Sequence, residues 1–163
     1  MSRSHNTFWA IGLLVLIIGG LGALSLLSDK APQPIAQAAA NTIVVHKSPT
    51  CGCCGKWVDH LKAEGFAVEV RDEEDMNAVK SRLGIPARYA SCHTATVGGY
   101  LIEGHVAAAD IKRLLQEKPK AQGLAVPGMP VGSPGMEVGD KRMPYETLLF
   151  SGEVATTYAQ HGE

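Results

Sequence analysis

Ile43-Val44-Val45-His46-Lys47-Ser48-Pro49-Thr50-Cys51-Gly52-Cys53-Cys54, residues 43–54, sets a β-branched run against a proline break and then a cluster of thiols. Ile43-Val44-Val45 lacks the polar–apolar alternation of a half-solvated strand. It reads as a strand buried on both faces, as in parallel sheets. Ser48-Pro49-Thr50 ends it, and a helix follows over residues 53–64, with Gly65 just beyond its end. Cys54, Trp57, Val58 and Leu61 recur at i, i+3, i+4 and i+7, so they share one apolar stripe. Cys54 therefore heads the buried stripe, Cys51 is the more exposed thiol, and Cys53 points elsewhere. His60 lies seven residues beyond Cys53, two turns or about 10 Å away, too far to share a metal with it. It reads as a surface residue.

Working toward the C-terminus, Ala67–Val70 reads as a second strand. Asp75–Leu83 reads as a helix with acid at its start and Gly84-Ile85-Pro86 after its end. Ala95–Val97 and Tyr100–Ile102 flank Gly98-Gly99, the signal of a two-residue hairpin. Ala107–Gln116 forms a third helix with Ile111, Leu114 and Leu115 on its apolar face. The order strand–helix–strand–helix–strand–strand–helix predicts an α/β domain, a thioredoxin-like mixed sheet with flanking helices, over residues 42–118. The thiol cluster sits between first strand and first helix, where that fold keeps a redox dithiol. Pro127-Gly128-Met129-Pro130-Val131-Gly132 is echoed seven residues later by Pro134-Gly135-Met136-Glu137-Val138-Gly139. Such Pro and Gly content excludes regular helix. Residues 119–150 are expected to form a C-terminal Pro/Gly/Met-rich loop covering the domain, closed by an apolar segment, Tyr145–Phe150. Residues 151–163 read as a tail that includes His161.

Toward the N-terminus, Phe8–Leu27 contains twenty residues without a charge. As a helix this run spans about 30 Å, the thickness of a bilayer core. Arg3 precedes the span while Asp29 and Lys30 cancel after it, which puts the N-terminus inside and the rest outside. Residues 1–28 thus read as a transmembrane helix anchoring the chain, or as a signal segment with Ala36-Gln37-Ala38 as its cleavage site. Residues 29–41 read as a tether. Either way the thiols face the periplasm, membrane-anchored or soluble. The net charge of −1 with no basic block excludes a nucleic-acid partner.

Three of the four cysteines fall within four positions, which marks a site and not a disulfide scaffold. Cys51 and Cys54 have the spacing of a redox-active pair, and a helix N-terminus favours thiolate. Cys53 is a thiol that a simple dithiol does not need. Soft thiolates select Cu(I) or zinc, and adjacent cysteines suit a bridged Cu(I) site better than one tetrahedral zinc. Cys92 lies in the loop before the hairpin, where the thioredoxin-like topology turns toward the thiols, so Cys92 and His93 are candidates to complete the centre. His105, Met129 and Met136 are weaker candidate ligands; helix start explains the first and gap filling the methionines. His46 reads as a hydrogen-bonded strand residue.

Lys47–Cys54, then Ser91-Cys92-His93-Thr94, then the Pro-Gly-Met-Pro loop, together resemble the copper-resistance CopG-type family over roughly residues 43–150. The resemblance implies a periplasmic thioredoxin-like protein of copper handling, with Cys51, Cys53, Cys54 and Cys92 as copper ligands. It also implies a redox role interconverting Cu(I) and Cu(II), in company with a copper-efflux or copper-resistance protein. Two other functions fit the same residues. One is a thiol–disulfide oxidoreductase acting on proteins, with Cys51 attacking and Cys54 resolving. The other is a passive carrier handing copper to an efflux partner.

Overall fold

The computed structural model describes residues 42–162. These form a mixed α/β unit in the order β1 (Thr42–Lys47), α1 (Gly52–Ala63), β2 (Ala67–Asp72), α2 (Met76–Leu83), a 3-10 turn (Ala87–Tyr89), β3 (His93–Val97), β4 (Tyr100–Glu103), α3 (Ala108–Glu117), β5 (Gly123–Ala125), β6 (Tyr145–Ser151) and β7 (Val154–His161). The strands make one seven-stranded sheet in the order β2-β1-β3-β4-β5-β6-β7. β1 runs parallel to β2 and antiparallel to β3, and β4 runs parallel to β5. Among the described residues no helix is long and apolar enough to cross a membrane. The expected span at residues 8–27 and the tether at 29–41 lie outside them.

Local sequence explains the element ends. Asp75 caps α2, its carboxylate accepting the Asn77 and Ala78 N–H groups at 2.9 and 3.0 Å, and Gly84 closes the helix at φ 73°. Gly98 and Gly99 both take positive φ in the β3–β4 turn, which a two-residue hairpin of this twist requires. Side chains alternate across the sheet, so neighbouring residues serve opposite faces. Ile102 and Leu124 join Ile43, Val45, Trp57, Leu61, Ile111 and Leu114 in the larger core under α1 and α3. Leu101 and Ala125, one step along in each strand, join Ile85, Tyr89 and Phe150 in a smaller cluster on the other face.

The sheet departs from expectation at its ends. β1 is buried at Ile43, Val45 and His46 but only partly at Val44. Its partner β2 is a mostly exposed edge strand. Residues 119–150 are not all covering loop, because Gly123-Leu124-Ala125 is a fully buried strand between β4 and β6. Residues 151–163 are not a free tail, since 154–161 pair with β6 along its whole length. Burial contributes only part of what holds β7, an edge strand with no fully buried residue, through Ala155 and Tyr158 packed on the two clusters. Specific polar bonds supply the rest. The Arg113 guanidinium donates to the Tyr158 carbonyl at 2.6 Å and stacks 3.8 Å from its ring. His161 Nε2 lies 2.8 Å from the Asp110 carboxylate, which also accepts the Thr147 hydroxyl at 2.7 Å.

Candidate metal centre

The β1–α1 junction delivers three thiols because the chain turns at Ser48-Pro49-Thr50 and starts α1 with Cys51 as its N-cap. Cys54 is fully buried beside Trp57 and Leu61, while Cys51 and Cys53 are half-buried, as the helical spacing predicts for the first two. Cys51 and Cys54 form a disulfide. Cys53 and Cys92 are free thiols.

The β3–β4 hairpin delivers the second half. Cys92 immediately precedes β3, and its Sγ lies 3.8 Å from Cys53 Sγ, which itself lies 3.5 Å from Cys51 Sγ. Cys53, off the buried stripe that Cys54 heads, thus touches both Cys51 and Cys92. The four sulfurs all lie within 4.8 Å of one another. Two imidazoles close on the same thiol, with His105 Nε2 at 3.1 Å and His93 Nδ1 at 3.3 Å from Cys92 Sγ. His93 stacks against Trp57 with ring centroids 4.3 Å apart, and its buried Nε2 has no hydrogen-bond partner.

Electrostatics follow from the burial. Desolvation pushes the Cys92 thiol up to about 12, and the adjacent Cys53 sulfur adds to the rise. Burial, then the neighbouring His105 and Lys80, holds His93 well below the ordinary imidazole value. Burial lowers His105 too, against an opposing pull from the Pro134 carbonyl. His105 Nδ1 donates to that carbonyl at 2.8 Å, which turns the Nε2 lone pair toward Cys92. In both rings burial favours the neutral form, the one that binds metal.

The second Pro-Gly-Met repeat covers this centre. A Cβ on Gly135 would stand 2.8 Å from Trp57 N and 2.9 Å from Cys53 O, so only glycine lets the loop lie on the first turn of α1. Met136 is half-buried in that loop, whereas Met129, in the first repeat, is 53% exposed. Of the other histidines, His46 is buried on its strand with Nδ1 2.7 Å from Glu73, as a hydrogen-bonded strand residue should be. His60 is not a bare surface residue: its Nε2 accepts the Ala108 N–H at 3.1 Å, supplying the cap that α3 lacks. His161 is bonded to Asp110 and is not part of a loose tail. Residue order gave no sign of the buried Lys80–Glu103 pair beside Thr94, because lysine in a polar helix and glutamate at a strand end both read as solvated.

A family model described as "Protein of unknown function, DUF411" matches residues 89–136, the stretch that carries Cys92, His93, His105 and both Pro-Gly-Met repeats. No curated protein matches the chain. Two solved structures do. Copper resistance protein CopG in Form 2 is 49% identical, with a TM-score of 0.70, covering 74% of this chain and 97% of that one. Form 1 is 48% identical at the same TM-score, with 75% of this chain and 98% of that one covered.

Proposed function

Because this chain belongs to the copper-resistance CopG family, we propose that it is a periplasm-facing copper-binding protein that holds Cu(I) on Cys51, Cys53, Cys54 and Cys92 and serves copper resistance. The observation that carries the reading is the place of Cys53, 3.5 Å from Cys51 and 3.8 Å from Cys92. A sulfur in contact with two others suits a bridging ligand, and thiolate donors favour Cu(I) over hard cations. Zinc is the competing cargo; four thiolates suit it in number, but its structural ligands come as separated pairs. Neutral His93 and His105 are supporting ligands, with Met136 in the covering loop a further soft donor. The order β2-β1-β3-β4 supports a thioredoxin-like core, with the remaining strands as an extension. The uncharged run 8–27 supports export and anchoring, and a Cys51–Cys54 disulfide fits an oxidising compartment.

The same pair supplies a redox step. Reduced Cys51 and Cys54 thiolates join as a disulfide and release two electrons, taking two Cu(II) to two Cu(I). The disulfide also favours a second reading, a thiol–disulfide oxidoreductase acting on proteins. The loop lying on α1 at Gly135 argues against a peptide reaching the pair.

Anaerobic titration of the reduced full chain with Cu(I), under Zn(II) competition, tests the binding. More than one copper per chain, reduced in Cys53→Ser, is the expected result. A single weak site indifferent to Cys53 sinks it. Adding Cu(II) to the metal-free reduced chain separates the redox reading from a passive carrier handing copper to an efflux partner. The redox reading requires one new disulfide per two Cu(I) formed; the carrier forms none.

A further inference from the structure

We infer that Glu103, held by Lys80, is the positioning residue that aims Cys92 and His93 into the metal centre. This deepens the copper reading above and rests on it for the role of Cys92.

Glu103 is fully buried at the end of β4. Its Oε1 accepts the Ser91 N–H at 2.6 Å and the Lys80 ammonium at 2.5 Å. Its Oε2 accepts the Thr94 hydroxyl at 2.5 Å, and Lys80 also donates to that hydroxyl at 2.7 Å. Ser91 and Thr94 are the residues on either side of Cys92-His93. One carboxylate therefore grips both ends of the two-residue segment that carries the thiol and the imidazole.

The next two residues of the hairpin continue the grip. Gly104 N–H donates to the His93 carbonyl at 3.1 Å. His105 Nε2 meets Cys92 Sγ at 3.1 Å. Glu103, Gly104 and His105 thus touch residues 91–94 in three different ways, through a charge, a backbone N–H and a ring nitrogen. Ser91 also donates through its hydroxyl to the Gly128 carbonyl, which ties this loop to the first Pro-Gly-Met repeat.

A buried ion pair is a poor stability device, because apolar residues of similar volume serve as well or better. What the pair supplies instead is direction. Charge-assisted hydrogen bonds are short and directional, and a carboxylate with three donors has one orientation that satisfies them all.

The test keeps that distinction. Lys80→Met with Glu103→Leu removes the clamp while filling its volume. Lys80→Met with Glu103→Gln retains an oxygen for the Ser91 N–H. In the full chain, reduced and metal-free, alkylation by iodoacetamide is followed at Cys92 and at Cys53 by mass spectrometry. Cys53 touches Cys92 but makes no hydrogen bond to Glu103, so dividing by its rate removes changes common to the whole sulfur cluster. The apolar pair is expected to stay folded, at a melting temperature lowered by the unpaired Thr94 hydroxyl and Ser91 N–H, and to raise the Cys92:Cys53 rate ratio roughly tenfold, the scale of a hydrogen bond to a charged group. The Gln variant is expected to bring the ratio back toward wild type. An unchanged ratio in the folded apolar variant overturns the inference. Should that variant not fold, Thr94→Val removes one arm alone. A rise of roughly threefold then supports the clamp, and none overturns it. Because the readout needs no copper, a chain that binds none yet shows the altered ratio sinks the copper reading and leaves the clamp standing. Copper binding with an unaltered ratio sinks the clamp alone.

Discussion

His60 Nε2 accepts the Ala108 N–H, so the ring serves the fold as neutral imidazole and loses its acceptor when protonated. Burial lowers its affinity for a proton from the ordinary 6.5, against the pull of Glu64 and Glu137. The unfolded chain therefore takes up this proton first. The contribution is complete above the ordinary value and is lost as pH falls below it, down to the folded value. We predict that His60→Gln, which keeps an acceptor oxygen, flattens the stability slope on the acid side of about pH 6.5 relative to wild type. Denaturant titrations across that range check it; parallel slopes would remove His60 as a contributor. The sequence reading placed His60 correctly relative to Cys53, because a helix fixes distances along itself. It missed the cap on α3 because that partner is 48 residues away. Glu103 was missed for a related reason: nothing local marks a carboxylate whose three donors arrive from two other segments.

At the scale of elements, α1 was legible because four of its residues repeat at helical spacing, and the β3–β4 hairpin because Gly98-Gly99 fixes its turn. β5 was not, since Gly-Leu-Ala is too short to show a period. β7 was not, since Val-Ala-Thr-Thr-Tyr-Ala-Gln-His has no fully buried residue and carries no apolar alternation. Both strands owe their place to what lies beside them. For β7 the anchor is Asp110, which accepts both Thr147 and His161. Asp110→Ala is expected to cost about 1–3 kcal/mol while leaving the number of bound Cu(I) unchanged, because β6 and β7, which it holds together, lie three and four strands from β3. Chemical denaturation and metal counting on one preparation check both halves. For the covering loop the anchor is close approach. Gly135→Ala meets backbone at Trp57 and Cys53 from a residue at φ 84° and is expected to lift residues 134–136 off α1. A loss of about 1–3 kcal/mol, together with faster proteolysis within residues 127–143, is the expected pair. Wild-type proteolysis would mean that the loop is held by other contacts.

The whole molecule brings two distant pieces of chain to one centre, and the state of one piece sets what the centre can hold. With Cys51 joined to Cys54, two of the four sulfurs are spent on each other. Cu(I) capacity of the oxidised chain is therefore expected to be at most half that of the reduced chain, measured by anaerobic titration of both forms. Equal capacities would take Cys51 and Cys54 out of the ligand set. The thiol cluster was visible in the sequence as a spacing, and Cys92 only through the topology that folds residue 92 back onto residue 53. The copper assignment came from resemblance, which the 49% identity now supports at the level of family.

That distance along the chain has a kinetic meaning. Cys53 and Cys92 are 39 residues apart and meet only when β3 has paired with β1. Closing such a long-range contact is a late event compared with forming α1. A nascent or partly unravelled copy offers three neighbouring thiols but not the fourth, and on the copper-binding reading would hold the metal correspondingly loosely. On the same reading, copper retained per chain would gauge how many copies are completely folded, and heat or denaturant is expected to shed the metal in step with the loss of the β1–β3 pairing.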